Sequence, residues 1–313
     1  MREEALIITT SLARNGFASG ASLRTAYLKR ALESLDFNVT VVSKYELNAV
    51  SKNRYKVIVV TSYGCANVGI WARKRTDFLW FDPYDSWLMH RLSMLRHEFL
   101  RNLVGLIRDY LWISLFPRCE LITFISQQDA SRHARFARRA NTLIVPIHFE
   151  LPKVAMNSDT NLVFVGDGAY LPNVICLTTL NEIGKQMGMR VKVIGRNFEK
   201  HSKHYEFLSF LGYRDSSEIY FINDIHISPS EVGTGIKTKT ALPLALGLRV
   251  VSSDRSANGF NKLDNLKIAK SLDEYRSGIM EFIEKNAHFT HQDYASIYEK
   301  DDSETLLSIL GKI

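Results

Sequence analysis

The chain has 313 residues, of which 46% are hydrophobic and 23% are charged, as is typical of a globular protein with a large buried core. This length predicts two domains of roughly 150 residues each. Cys65, Cys119 and Cys176 are far apart and form no CxxC pair, which argues against a disulfide framework or a zinc site. The N-terminus lacks the pattern of a signal peptide, and no apolar run is long enough to span a membrane, so we expect a cytoplasmic protein.

The net charge of +7 is unevenly distributed along the chain. Residues 1–149 contain 21 Lys and Arg against 12 Asp and Glu, whereas residues 150–313 contain 19 against 21. A basic half favours an anionic partner, and the candidates are a phospholipid surface, a lipid-phosphate substrate and a nucleic acid. The chain has no helix-turn-helix, zinc or aromatic-platform motif, so we expect no nucleic-acid partner. A phospholipid surface and a lipid phosphate remain, and both are compatible with peripheral binding to the inner face of the membrane.

Short apolar runs in the first half alternate with helical patterns. A helix is predicted over Ser22–Leu35, where apolar residues recur at helical spacing. Buried strands that alternate with helices are typical of a parallel sheet covered on both faces. The predicted strands of this half are Ala5–Thr10, Asn38–Ser43, Lys56–Thr61, Phe78–Phe81, Leu121–Ser126 and Thr142–Val145.

The long aromatic-rich stretch Trp87–Leu115 predicts one or two helices and permits two interpretations. In the first, its apolar residues pack into the core and its arginines face water. In the second, it is an amphipathic surface apposed to a membrane. A second basic cluster follows the strand that begins at Leu121 and is either a solvated face or a site for anionic head groups. The arginines concerned are Arg91, Arg96, Arg101 and Arg108, then Arg132, Arg135, Arg138 and Arg139.

A weakly periodic segment, Pro146–Ser158, predicts an interdomain linker. The second half then repeats the alternation of strands and helices, with strands at Asn161–Val165, Arg190–Ile194 and Phe207–Leu211, and helices at Val174–Gln186, Leu272–Asn286 and Asp293–Leu310. We predict an α/β protein with an N-terminal Rossmann-like domain over 1–149 and a C-terminal one over 150–290. C-terminal helices over 291–313 are expected to pack back on the N-terminal domain. Ligand loops are expected at the carboxyl ends of the strands, in a cleft where the two domains face each other.

The stretch Ile225–Ser253 is the most informative part of the sequence. It predicts a buried strand, a glycine-rich turn, a helix and a second strand at Arg249–Ser252. Gly233 and Gly235 lack a β-carbon, so backbone N–H groups can approach an anion closely at the start of the helix. Lys237 and Lys239 add two cations within one helical turn. The stretch therefore predicts a phosphate-binding site.

Four linked motifs in the second half resemble the nucleotide-sugar-binding domain of GT-B glycosyltransferases, and most closely the retaining glycosyltransferase family 4. In the first half, LITFISQQDASRHA resembles the strand and helix before the linker of that family, and the loop with Gly16 and Gly20 resembles its first glycine loop. The resemblance covers nearly the whole chain and is weak between Cys65 and Arg118. The four motifs are NLVFVGDGAYLPNV (Asn161–Val174), KVIG (Lys192–Gly195), ISPSEVGTGIKTK (Ile227–Lys239) and LALGLRVVSS (Leu244–Ser253).

The resemblance implies how the donor is held. The leaving nucleotide diphosphate gains negative charge, which lysines and preorganised N–H groups stabilise without a metal. We therefore expect no cofactor and no metal site, and the resemblance implies retention of anomeric configuration. The residues expected to bind the donor are Gly16, Gly166, Asp167, Arg196, Gly233, Thr234, Gly235, Lys237 and Lys239.

The sequence departs from the family where a glutamate normally holds the ribose of the donor. A Glu-Ala pair is usual inside the helix, and Leu242-Pro243 stands there instead. Leucine accepts no hydrogen bond, and proline removes an N–H group. A second family glutamate falls on Thr234, with Glu231 close enough to substitute. The departure implies that ribose recognition has moved, that the donor differs, or that activity is lost.

Acid–base chemistry is predicted at Asp82 and Asp85, in the sequence FDPYD. A carboxylate at the carboxyl end of a strand can orient or deprotonate an acceptor hydroxyl. Alternatively, Asp82 caps a turn and Asp85 caps the following helix. With Glu231, these are the predicted catalytic residues.

The sequence thus predicts an enzyme, a glycosyltransferase of the hexosyltransferase type. It would move a sugar from a nucleotide-diphosphate sugar to a glycan or lipid-linked acceptor in bacterial cell-surface polysaccharide synthesis. The alternative is a non-catalytic GT-B homologue that acts as a binding partner of an active transferase, which the Leu242-Pro243 departure favours.

Overall fold

The computed structural model describes residues 2–10, 20–50, 53–84, 87–133, 141–286 and 288–313. The chain forms two compact units, residues 1–149 with 300–313, and residues 150–299. The predicted C-terminal segment 291–313 is thus divided between the two units. Each unit contains a six-stranded parallel sheet. No helix in the described part of the chain combines the length and the apolar character that crossing a membrane requires.

The first unit confirms the strands predicted in the first half, with ends that shift by up to three residues. Its sheet has the order β2-β1-β3-β4-β5-β6. The stretch predicted from Trp87 to Leu115 is two helices, and a C-terminal helix joins this unit. The elements are β1 (Glu4–Thr9), α1 (Gly20–Glu33), β2 (Asn38–Ser43), β3 (Tyr55–Thr61), α2 (Gly69–Arg73), β4 (Thr76–Tyr84), α3 (Trp87–Met94), α4 (Phe99–Ser114), β5 (Leu121–Phe124), α5 (Gln127–His133) and β6 (Asn141–Ile144).

The second unit has a sheet of order β12-β11-β10-β7-β8-β9. Its edge strand β12 was not predicted from the sequence, because LKIA has only four residues and a lysine interrupts its apolar run. The elements are β7 (Leu162–Val165), α6 (Leu171–Met187), β8 (Val191–Ile194), β9 (Leu208–Gly212), β10 (Ile225–Ser228), α7 (Thr238–Ala245), β11 (Arg249–Ser253), β12 (Leu266–Ala269), α8 (Leu272–Lys285) and α9 (Tyr294–Ile297), and the C-terminal helix of the first unit is α10 (Ser303–Leu310).

The central strands of the first sheet are buried on both faces. Successive side chains of a strand point to opposite faces, and in β3 Ile58 joins one apolar cluster while Val57 and Val59 join another. The second cluster is completed by Leu306 and Leu310 of α10. The C-terminal helix therefore covers one face of the first sheet and belongs to its core.

A buried ion pair connects α1 to β4 inside the first unit. The side chains of Arg24 and Asp82 are fully buried, and Arg24 Nε and Nη2 donate to the two carboxylate oxygens of Asp82 at 3.1 and 2.7 Å. Arg24 Nη1 donates to the carbonyl oxygens of Val145 and Pro146 at 2.6 and 3.1 Å, beyond the end of β6. Burial opposes the charge of the guanidinium, but Asp82 outweighs that effect, and the pKa of Arg24 is raised.

We predict that Asp82→Asn destabilises the first unit by ~3–5 kcal/mol, because it leaves the buried guanidinium uncompensated. Urea unfolding followed by tryptophan fluorescence measures this unit selectively, since the four tryptophans of the chain are Trp71, Trp80, Trp87 and Trp112. The matched control is Asp77→Asn. Asp77 pairs with Arg54 with both side chains over two-thirds exposed, so its loss should cost less than about 1 kcal/mol. Equal effects of the two substitutions would contradict the prediction.

Candidate functional site

The strand order of the second sheet creates a crevice at its carboxyl edge, the edge where its parallel strands end. β7 lies between β10 and β8, so the connections after β7 and β10 leave in opposite directions. Ligands of open α/β sheets bind at such a switch point. The loops after β7, β8 and β10 contain the predicted donor residues of this unit, and the structure therefore brings to one edge Gly166, Asp167, Arg196, Glu231, Gly233, Thr234, Gly235, Lys237 and Lys239.

The glycine-rich loop after β10 needs both of its glycines for conformational reasons. Gly233 has φ 92° and Gly235 has φ 73°, values at which a side chain is strained. The sequence predicted these glycines from the approach of an anion alone, and the backbone angles add a conformational requirement at both positions. Thr234 lies between the two glycines and is buried. The backbone path of this loop is therefore fixed by its own residues.

Serine hydroxyls at and after the end of β11 hold the same loop in place through hydrogen bonds. Ser253, at the end of β11, donates its hydroxyl to the carbonyl oxygen of Ser230 at 2.7 Å, and Ser256 donates to the same oxygen at 3.2 Å. The hydroxyl of Ser230 itself donates to the carbonyl oxygen of Val232 at 3.0 Å. All three serines are buried. Sequence reasoning missed them, although a serine run at the end of a buried strand is a usable signal for such anchoring.

The two lysines of this loop have different roles. Lys237 precedes α7, and its Nζ donates to the carbonyl oxygen of Thr234 at 2.5 Å, which closes the loop on itself. Lys239 lies in the first turn of α7 and reaches across the crevice. Its Nζ donates to Asn173 Oδ1 on α6 at 2.7 Å and lies 4.6 Å from the ring centroid of Phe164 in β7. Lys239 therefore joins the elements on the two sides of the switch point.

The charge of Lys239 is incompletely compensated. Desolvation lowers the pKa of its ammonium group, although part of the side chain still contacts solvent. Within the described ranges Lys239 forms no ion pair with a carboxylate. A buried cation is stabilised by an anion placed against it. The crevice therefore has the electrostatic character of a phosphate site.

The loops after β7 and β8 are held together by backbone contacts. Gly195 has φ 141°, and a β-carbon there would lie 1.7 Å from the carbonyl oxygen of Gly166. Asp167 Oδ1 accepts from the N–H of Ala169 and from Asn197 Nδ2, both at 2.8 Å. The Asp167 carboxylate thus fixes these loops, and any contact with a donor would be additional to that role.

Arg196 is exposed at the same edge, and its guanidinium lies 4.7 Å from the ring centroid of Tyr213. Tyr213 follows β9 and is itself 44% exposed. This tyrosine was not predicted from the sequence. An exposed aromatic ring beside a cation gives the crevice a flat surface suited to a planar ligand group.

Two of the three predicted catalytic residues, Asp82 and Glu231, lie in the described part of the chain, one in each unit. Asp82 lies within β4 and is fully buried, where it accepts hydrogen bonds from Arg24 and from the hydroxyl of Thr123. A carboxylate saturated in this way has no access to an acceptor, so the catalytic interpretation of Asp82 gives way to a structural one. Glu231 is exposed in the loop after β10. Asp85 and Gly16 lie outside the described residues.

The Leu242-Pro243 pair lies inside α7, and Pro243 does not interrupt the helix before Ala245. Leu242 packs against the apolar cluster of Tyr220, Leu246 and Leu248. The side chain that replaces the expected glutamate is thus used for packing. In the part of the chain that the structure describes, no three His, Cys, Asp or Glu side chains are grouped as metal ligands.

No protein-family model matches the sequence, and no curated protein matches it. Solved structures do match. HepE of Anabaena, in complex with UDP and glucose, aligns over 98% of this chain and 95% of that chain, with TM-score 0.59 and 12% identity. The catalytic domain of starch synthase IV from Arabidopsis thaliana, bound to ADP and acarbose, aligns over 100% and 95%, with TM-score 0.54 and 9% identity.

A UDP-glucosyltransferase from Polygonum tinctorium aligns over 100% of this chain and 98% of that chain, with TM-score 0.52 and 10% identity. These neighbours are glycosyltransferases of the GT-B fold, and their two-sheet α/β architecture is that of this chain. The chain has the GT-B fold. At these identities the likeness concerns the fold, and the function is argued from the crevice.

We predict that Lys239 makes the stability of the second unit depend on pH. Because folding lowers its pKa, the folded state releases the proton first, and stability is gained as pH rises through the folded-state pKa toward about 10.4. The free energy of unfolding increases by about 1.4 kcal/mol for each pKa unit by which folding lowers the pKa of Lys239. Scanning calorimetry should therefore show the wild type gaining stability with pH relative to Lys239→Met.

The matched control is Lys185→Met, since Lys185 is exposed in the last turn of α6, away from the carboxyl edge. The wild type should gain no stability with pH relative to this variant. Tryptophan fluorescence, which follows only the first unit, identifies the calorimetric transition that belongs to the second. A stability difference between wild type and Lys239→Met that stays constant or falls with pH would refute the assignment.

Proposed function

We propose that the protein is a glycosyltransferase that moves a sugar from a nucleotide-diphosphate sugar to a glycan or lipid-linked acceptor. The observation that carries this proposal is the incompletely compensated Lys239, which lies at the switch point beside the glycine loop. Two of the solved neighbours are complexes with UDP or ADP, which supports a nucleotide diphosphate as the ligand of this crevice.

The proposed chemistry follows from the groups at the crevice. As the bond between sugar and diphosphate breaks, negative charge grows on the leaving oxygen, and groups fixed in advance stabilise it without reorganisation. Lys239 would contact the diphosphate directly. Lys237 would act from the glycine loop, whose N–H groups complete the site, and Arg196 would approach from β8. This arrangement requires no metal, so we propose metal-independent transfer without a cofactor.

The finer assignment rests on the sequence motifs. The order of the four motifs from Asn161 to Ser253 supports membership of the retaining glycosyltransferase family 4, and with it retention of configuration. A role in bacterial cell-surface polysaccharide synthesis belongs to the same proposal. The basic first half, with 21 Lys and Arg against 12 Asp and Glu, supports a cytoplasmic protein that is peripheral on the inner membrane face and acts on an acceptor that carries phosphate.

A second candidate is a non-catalytic homologue that binds an active transferase. The packing of Leu242 into the apolar cluster supports it, because no carboxylate takes the place of the ribose-binding glutamate in α7. Glu231, in the neighbouring loop, is close enough in the sequence to bind the ribose in place of that glutamate. The two candidates differ in turnover, since release of nucleotide diphosphate from a nucleotide sugar by the isolated protein would exclude the second.

We predict that the protein binds UDP or another nucleotide diphosphate and that Lys237→Ala weakens binding about tenfold or more. The substitution removes a charge-assisted hydrogen bond to the ligand together with the contact that closes the glycine loop. Isothermal titration calorimetry measures the affinity. A panel of nucleotide sugars screened by thermal shift then selects the donor, because a ligand that binds only the folded state raises its melting temperature.

Lys185→Ala serves as the matched control and should bind with the affinity of the wild type, because Lys185 lies in the last turn of α6. Absence of binding to every nucleotide and nucleotide sugar would refute the proposal. Equal loss in the Lys185→Ala and Lys237→Ala variants would show that the effect is one of overall charge and not of the crevice.

A further inference from the structure

Helix α4 buries a polar face. Its inward residues recur at helical spacing and are Asn102, Gly105, Asp109 and Ile113. A helix on a protein surface normally turns an apolar stripe inward and a polar stripe outward. In α4 three of the four buried positions are small or polar, so its attachment to the rest of the unit does not depend on apolar packing alone.

The contacts of Arg91 explain this burial. Arg91 lies on α3, and its Nε donates to Asp109 Oδ2 at 2.6 Å. A β-carbon at Gly105 would lie 2.2 Å from Arg91 Cζ, so the glycine makes room for the guanidinium. Asn102 Nδ2 donates to the carbonyl oxygens of Met94 and Glu98 at 3.3 and 2.9 Å. Polar contacts thus hold α3 and α4 together.

The opposite face of α4 is apolar and exposed. Five large aliphatic side chains recur along it at spacings of three and four residues, and each is at least half exposed: Leu100, Val104, Ile107, Leu111 and Leu115. Monomeric proteins rarely expose contiguous apolar patches of more than a few hundred Å² unless the patch binds something. We call these five residues the outer stripe.

The helical pair α3–α4 that presents the outer stripe is rich in basic residues, although Arg91 itself faces inward. Between residues 87 and 118 there are five arginines and two acidic residues. Both acidic residues are already paired, Glu98 with Arg101 and Asp109 with Arg91 and Arg108. The charge that this surface offers to a partner is therefore positive. Trp112, on the flank of the helix, has Arg108 4.8 Å and Lys44 5.6 Å from its ring.

We propose that α4 docks an anionic phospholipid bilayer, with the helix lying in the plane of the interface. The outer stripe would enter the acyl region while the exposed arginines contact lipid phosphates, namely Arg96, Arg101, Arg108 and Arg118. A helix with aliphatic residues on one side and cations at its border has this mode of binding. Its 16 residues give a contact about 24 Å long. The inference stands independently of the proposed reaction.

A second copy of the chain fits the same surface less well. Two outer stripes packed against each other would bring the exposed arginines of both copies closer together, and like charges in an interface repel. An anionic bilayer satisfies the apolar stripe and the positive border simultaneously. Charge complementarity therefore favours lipid over self-association.

The test is co-sedimentation with vesicles of phosphatidylcholine, with and without phosphatidylglycerol, in the absence of nucleotide. The wild type should bind the vesicles that contain phosphatidylglycerol and bind neutral vesicles at least about tenfold more weakly. Leu100→Glu/Val104→Glu should lower binding to the anionic vesicles by about tenfold or more. Both residues are highly exposed, 74% and 65%, so the variant should fold, and urea unfolding verifies this.

The matched control is Met156→Glu, which places a glutamate at a 64% exposed apolar residue of the second unit. Full binding by this variant, with loss in the double variant, supports the proposal. It is overturned if the wild type binds neither vesicle, if it binds both equally, or if the double variant binds like the wild type. It is also overturned if light scattering shows a wild-type dimer that the double variant dissociates and vesicles do not bind, because the stripe would then belong to self-association.

Discussion

The buried ion pair of Arg24 and Asp82 is the contact on which the first unit depends. It joins α1 to the middle of the sheet, and through the carbonyl oxygens of Val145 and Pro146 it also fixes the point where the chain leaves β6. Thr123 donates to the same carboxylate and receives a hydrogen bond from the indole of Trp80 at 2.8 Å. A charged pair removed from water is tolerated only when its remaining hydrogen-bonding groups are satisfied. Here α1, β4, β5 and the segment after β6 supply the partners, so the pair ties these elements to one another.

The second unit places a cation in a comparable position but leaves it incompletely compensated. Lys239 joins α7 to α6 through Asn173, as Arg24 joins α1 to β4, yet its partner is an amide oxygen and not a carboxylate. The raised pKa of Arg24 and the lowered pKa of Lys239 express this difference. The first cation serves the fold, whereas the second is the one that we propose for the diphosphate. Proteins commonly accept a local cost of this kind at binding sites.

The sequence predicted the architecture well because continuous apolar strands and helical spacing are local signals. It also placed the predicted donor-binding residues of the second unit at one edge, since parallel strands share their carboxyl ends. The role of Asp82 was not predictable, because its partner Arg24 is distant in the sequence and the pattern FDPYD does not show burial. The second glycine of the turn was attributed to the ligand, but its positive φ depends on a backbone path that no local pattern reveals. The sequence left two interpretations of Trp87–Leu115 open and did not predict which face of α4 turns inward. The contact of Arg91 with Asp109 on the inward face depends on how α3 and α4 pack, which no local pattern reveals.

The polar attachment of α4 has a consequence for how this region can change. Its outer stripe contacts little of the protein, so substitutions there escape the packing constraints that restrict a core. Residues of the stripe can therefore be replaced by smaller, larger or charged ones while the helix keeps its position. The surface chemistry of this region can evolve separately from its fold. A chain with this design can acquire a new docking partner, or lose one, without passing through an unstable intermediate.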